Sequence, residues 1–222
     1  MRKRIRLKDR LLPNYFRGEE TMNMVTHIVG GALGILALIL GIMRAEGKAL
    51  SLTGAIVFGV MMIILYSVSS VYHGLKPSIG KKVMQVLDHC TIYFLICGTY
   101  TPILLGAFVP RYPAIGWGLL GAEWALAILA CTLTAIDLKK YTVFSMICYI
   151  VMGWGIIFVL PQALEVLTKP GFFWILSGGI AYTVGAVLYG IGSKIHWIHS
   201  VFHIFVVLGS LLQFIGIYLY VL

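Results

Sequence analysis

Apolar residues run through this chain in seven blocks, and polar or turn-forming residues collect between them. A helix rises 1.5 Å per residue, so roughly 20 apolar residues cross a bilayer core about 30 Å thick. The blocks therefore predict seven spanning helices, near 23–43, 50–74, 83–108, 114–136, 141–161, 172–192 and 197–222. Between them lie Arg44 to Lys48, Lys76-Pro77, Lys81-Lys82, Pro110 to Pro113, Asp137 to Lys140 and Lys169-Pro170-Gly171. Connections this short imply one all-α bundle over residues 23–222, preceded by a basic tail over 1–22.

Composition agrees with that class. Of 222 residues 60% are hydrophobic and 11% charged, too little polar surface to cover a water-soluble globule. A basic region before an apolar run is also the mark of a secretory signal, but here the tail is long, the run is of spanning length and no small-x-small cleavage pattern follows it. The first block is expected to stay as an uncleaved span. Lys and Arg favour the cytoplasmic side. With seven spans the tail and the even-numbered connections hold 13 of the 17 basic residues, which predicts a cytoplasmic N-terminus, an outer C-terminus and residence in the plasma (inner) membrane. Most of the net charge of +9 sits in the tail, from Arg2 to Arg10, and is expected to lie against anionic headgroups rather than nucleic acid.

Against this apolar background the remaining polar residues stand out. His73 closes the second span, Asp88 and His89 open the third, His199 and His203 open the seventh, and Glu20, Asn23 and His27 open the first. The predicted topology brings all of them to one depth, in the cytoplasmic half of the bundle. Ionisable groups there cost about 2.5 to 3.5 kcal/mol each on insertion scales, so they face inward and find partners. His199 and His203, at i and i+4, leave one helix face together and can offer two imidazoles to one ion. His73 could supply a third, and three imidazoles with a water match the open site of a catalytic zinc. The alternative is that the histidines hydrogen-bond across helices or sit at headgroup level.

At these residues the chain resembles the hemolysin III proteins and the progestin and adiponectin receptor group to which they belong. The shared elements read Glu20, Asn23 and His27 on the first helix, Ser69 and His73 on the second, Asp88 opening the third, and His199-x-x-x-His203 on the seventh. The resemblance implies a zinc ion held by His73, His199 and His203, with Asp88 holding or deprotonating the zinc-bound water and Ser69 nearby as a hydrogen-bonding or oxyanion-stabilising group. It also implies hydrolysis of a lipid amide or ester, as in membrane ceramidases. Glu20, Asn23 and His27 would orient the ligands by hydrogen bonds; alternatively, Asn23 caps the first helix.

Several residues carry plainer expectations. His89 and His196 fall at the predicted membrane boundary, where a histidine is expected to be solvated. Cys90, Cys97, Cys131 and Cys148 lie within spans and form no C-x-x-C pair, as buried apolar cysteines do. Glu123, an intramembrane carboxylate, is by default a functional candidate, but no partner for it is evident in the sequence. The pairs Gly30-Gly31 and Gly178-Gly179 are expected to let helices approach closely. Besides a hydrolase, the pattern leaves open a pore-forming cytolysin and a receptor in which zinc is structural. The spans are hydrophobic nearly all round, unlike those of a protein with a soluble stage, and the short outer connections offer no domain for a protein ligand.

Overall fold

The computed structural model of the chain describes residues 7–192 and 195–222. The basic cluster Arg2 to Arg6, and Lys194, lie outside the described residues. Among those described there is no strand, and seven segments are long and apolar enough to cross a membrane. The helices are α1 (Arg17–Arg44), α2 (Ala49–Gly74), α3 (Ile79–Pro102), α4 (Pro113–Ile136), α5 (Thr142–Gly153), α6 (Leu160–Val166), α7 (Lys169–Gly192) and α8 (Ile198–Tyr220). A π-helical turn, Ile103–Phe108, extends α3 beyond Pro102 to complete the third span. Chain, fold and composition are those of a multi-pass integral membrane protein.

Three boundaries differ from the apolar blocks. Helix α1 begins at Arg17, ahead of the apolar run, because Glu19 turns back to accept from the Phe16 amide at 3.1 Å and so caps the first turn. Asn23 is therefore inside the helix and does not cap it. Helix α3 begins at Ile79, because Ser78 caps it by accepting from the Lys81 amide at 3.1 Å. The fifth span is broken: α5 ends at Gly153, a 3-10 turn covers Gly155–Val159, and α6 completes the crossing. Tyr100 of α3 clamps that break, its hydroxyl donating to the Gly153 carbonyl and accepting from the Ile156 amide.

Packing follows chain order, α1 on α2, α2 on α3, α3 on α4, α7 on α8, and α8 returns to α1. Helix α3 is the centre of the bundle: 72% of its apolar window is buried, against 22% in α4. Of the two glycine pairs, one member each is used for close approach. A Cβ on Gly30 would stand 2.5 Å from the Tyr66 ring, and one on Gly178 2.5 Å from Gln213 Cγ, whereas Gly179 has open space. The core around Phe58, Met62, Tyr66, Leu104 and Ile217 runs between α1, α2, α3 and α8. The four cysteines are free.

The spans alternate in direction, so α1, α3, α5 and α8 begin at the end of the bundle where α2, α4 and α7 finish. Arg10, before α1, reaches the Ile136 carbonyl at the end of α4. At the opposite end the Lys48 ammonium donates to the Leu222 carbonyl. The histidine cluster described next lies toward the first of these ends.

Candidate metal centre

His73 ends α2, and His199 and His203 occupy consecutive turns at the start of α8. All three are buried, at 3%, 7% and 1% exposure. One ring nitrogen of each lies within 4.8 Å of the others. The Nε2 atoms of His199 and His203 are 3.2 Å apart, close to the roughly 3.3 Å between two nitrogens of one tetrahedral zinc with bonds of about 2.0–2.1 Å. His73 Nε2 is buried without a hydrogen-bond partner among the described residues. An orphaned buried nitrogen costs about 1–3 kcal/mol, and a metal between the three rings would satisfy all of them. The donor set therefore fits a nitrogen-binding metal.

The other nitrogen of His73 explains why Nε2 is the free one. Nδ1 lies 2.6 Å from Glu20 Oε2. An ionised carboxylate only accepts, so Nδ1 is the donor, and in the neutral ring the lone pair is on Nε2. Asn23, fully buried, has its amide 3.4 Å from the same Nδ1, and its oxygen can act as a further acceptor by amide rotation. Glu20 Oε1 in turn accepts from Lys81 Nζ at 2.6 Å. His27 takes a different place from its neighbours on α1: it stacks on His203, with centroids 3.8 Å apart and planes at 26°, and neither ring nitrogen has a hydrogen-bond partner among the described residues.

Asp88 and Ser69 line a cavity of about 190 Å³ together with His199 and His203. Ser69 is buried and its hydroxyl has no partner among the described residues; Asp88 is half-buried. Its carboxylate does not join the three imidazoles as a fourth member of the ligand group. Away from this end the cavity continues between α3, α5, α7 and α8, along Leu95, Ile96, Ile150 and Val206, to Gln213. Ten residues of α8 separate His203 from Gln213, roughly 15 Å of helix.

The segment before α1 lies across the mouth. Tyr15 stacks on His199, centroids 4.7 Å apart and planes at 16°. Burial pushes the Tyr15 phenol well above its usual range, with Tyr189, Glu20 and Asp88 adding to the effect, so it stays neutral. Trp197, before α8, holds a left-handed backbone with φ 67°, uncommon for a bulky residue. Its amide donates to Glu19 Oε1 at 2.5 Å and its ring packs edge-on against Phe16. The start of α1 thus sets where the His199-bearing helix begins.

Two boundary histidines divide. His196 is solvated, its side chain 75% exposed and 3.5 Å from Glu19. His89 is not: Nδ1 donates to the Gln85 carbonyl at 2.8 Å, and Nε2 accepts from the Tyr189 hydroxyl at 2.9 Å. Tyr189 comes from α7, 100 residues away, and nothing near His89 in the chain announces it. Lys81 and Tyr15 were missed for a similar reason. Lys81 stands two positions outside the apolar block, yet it is seven residues before Asp88 and so on the same face of α3; that spacing is the signal the sequence carries.

Comparison with known proteins agrees with this architecture. The sequence profile described as Haemolysin-III related matches residues 16–214. The chain is 39% identical to Hemolysin-3 of Bacillus cereus over 209 residues, covering 93% of this chain and 94% of that protein. It is 36% identical to the Hemolysin-3 homolog of Bacillus subtilis (strain 168), covering 91% and 94%. A more distant similarity, 24% over 224 residues, links 89% of the chain to 50% of the adiponectin receptor protein of Drosophila melanogaster. A profile match over most of the chain and relatives matched almost end to end leave one assignment: the chain belongs to the hemolysin III family, within the progestin and adiponectin receptor superfamily.

Proposed function

We propose that the chain is a zinc-dependent hydrolase of membrane lipid amides or esters. One observation carries this reading: three buried imidazoles, with His73 Nε2 unpaired, converge beside a cavity that has Asp88 and Ser69 at the same end and apolar walls beyond them. Zinc held by His73, His199 and His203 would supply a Lewis acid that polarises a carbonyl and brings the pKa of a bound water toward 7.

The chain's own groups divide the remaining work. Asp88, outside the ligand set and facing the cavity, is the base that takes a proton from water. Ser69, with its hydroxyl unspent, donates to the carbonyl oxygen as negative charge builds there. Leu95, Ile96, Ile150 and Val206 exclude water and suit an acyl chain. Since the cavity lies inside the bundle, its natural substrates are bilayer lipids, and the basic tail keeps the mouth near anionic headgroups on the cytoplasmic side of the plasma membrane.

The test is metal analysis of detergent-purified protein followed by incubation of the zinc-loaded form with a panel of ceramides, acyl amides and lipid esters. About one zinc per chain and release of fatty acid, slowed about 10²–10⁴-fold in Asp88→Asn, is the expected result. Zinc-loaded protein inert on the whole panel, together with unchanged lipid content on gene deletion, would sink the enzyme reading.

A further inference from the structure

We propose that Lys81 is the positioning residue of the metal centre, acting through Glu20 to fix which nitrogen of His73 faces the metal. The inference rests on the metal-site reading above and adds a residue to it. Lys81 is 3% exposed, and lysine is almost never this buried unless paired. Its ammonium donates to Glu20 Oε1 at 2.6 Å and to the Leu75 carbonyl at 2.9 Å, and lies 5.2 Å from the centre of the Tyr72 ring. The Ser78 cap fixes the backbone of its turn. All of its attachments are thus to the end of α2, the start of α3 and Glu20 of α1.

Glu20 has two oxygens and spends each on one partner, Oε1 on Lys81 and Oε2 on His73 Nδ1. The ammonium anchors that carboxylate and stops it from swinging away from the ring. An acceptor held at 2.6 Å fixes Nδ1 as the nitrogen that donates, so Nε2 is the one turned to the space shared with His199 and His203. Without Lys81, Glu20 is free to turn toward water, since it is only partly buried. His73 then loses its orientation although no ligand has been changed. The relay also explains why a lysine is held inside at this depth while its neighbour Lys82 reaches outward to the Lys8 carbonyl.

A purely structural Lys81, tying α1 to α3, would affect melting but not the metal. Zinc affinity of the full-length protein in detergent, measured by competition with a chromophoric chelator, separates the two. Lys81→Met is expected to bind zinc about 10–100-fold more weakly, and Lys81→Arg to recover most of that loss. Lys81→Met combined with Glu20→Gln should be no weaker than Glu20→Gln alone, because both break one relay. Cobalt substituted for zinc should show an altered visible spectrum in Lys81→Met. Native zinc affinity in Lys81→Met, or losses that add in the double variant, would overturn the inference while leaving the metal centre intact. If Lys81→Met does not fold, nitrogen-15 NMR of the metal-free unaltered protein decides: a His73 ring carrying its proton on Nε2 overturns the relay, and a proton on Nδ1 supports it. Unaltered protein that takes up no zinc would overturn the metal centre, and the relay's role with it.

Discussion

Where α1 enters the bundle, three imidazoles turn ring nitrogens toward one point, whereas near the middle of α4 a single carboxylate, Glu123, sits buried with Oε2 unpaired among the described residues. Both places bury polar atoms without partners, and each such atom costs about 1–3 kcal/mol. They differ in what surrounds the orphaned atoms. Around His73 the neighbours are built for a ligand: Glu20, Asn23 and Lys81 orient one ring, a cavity opens beside the rings, and Ser69 and Asp88 face into it. Around Glu123 the neighbours only make room. Gly155 has no side chain, and a Cβ there would stand 2.8 Å from Glu123 Oε1. Cys97 Sγ meets the Glu123 backbone carbonyl, not its carboxylate. An unpaired buried group marks a binding site when several converge with support behind them; one alone beside a helix break does not.

Four measurements would break or sharpen that contrast. The largest effect belongs to the imidazoles: His203→Ala or His73→Ala should abolish stoichiometric zinc in metal analysis, and a variant that keeps one zinc per chain would separate that residue from the site. Asp88→Asn should follow, lowering lipid hydrolysis by about 10²–10⁴-fold, the range of a lost general base, with zinc content unchanged; lost zinc would make Asp88 a ligand instead. Gly30→Ala tests the packing beneath the site. A Cβ 2.5 Å from Tyr66 must displace the ring that lies edge-on to His27, and thermal unfolding should show a loss of about 1–3 kcal/mol. Smallest is Glu123→Gln, which should retain full zinc and melt within about 0.5 kcal/mol of the unaltered protein or above it. Zinc loss in Glu123→Gln would erase the contrast between the two regions.

Much of the site can be read along the chain because its residues obey helical spacing. His199 and His203 share a face by being four apart, and alternation of seven spans carries His73, Asp88 and the start of α1 to the same end. What could not be read has a common cause. Apolar blocks report where a helix meets lipid, not where it begins, so the caps at Phe16 and Ser78 added the turns that hold Glu19, Glu20 and Lys81. Lys81 counted as a loop charge for that reason. His89 looked solvated for the same want of a distant partner, Tyr189 on α7. The break in the fifth span is equally silent, because Gly153 to Val159 is as apolar as the helix it interrupts, and only Tyr100 from α3 reveals that the backbone there is satisfied by another helix.

The sequence by itself determined the number of spans, the family and the three histidines that can meet. Those follow from the length of apolar runs and from fixed rotations per residue, which are local properties. Tertiary structure alone decided which nitrogen of His73 is free, that Lys81 stands behind it, that Tyr15 lies across His199, and that His27 stacks on His203 instead of hydrogen-bonding to it. Each of those is a choice among partners supplied by other helices, and in an apolar interior a polar atom takes whichever partner the packing brings within reach.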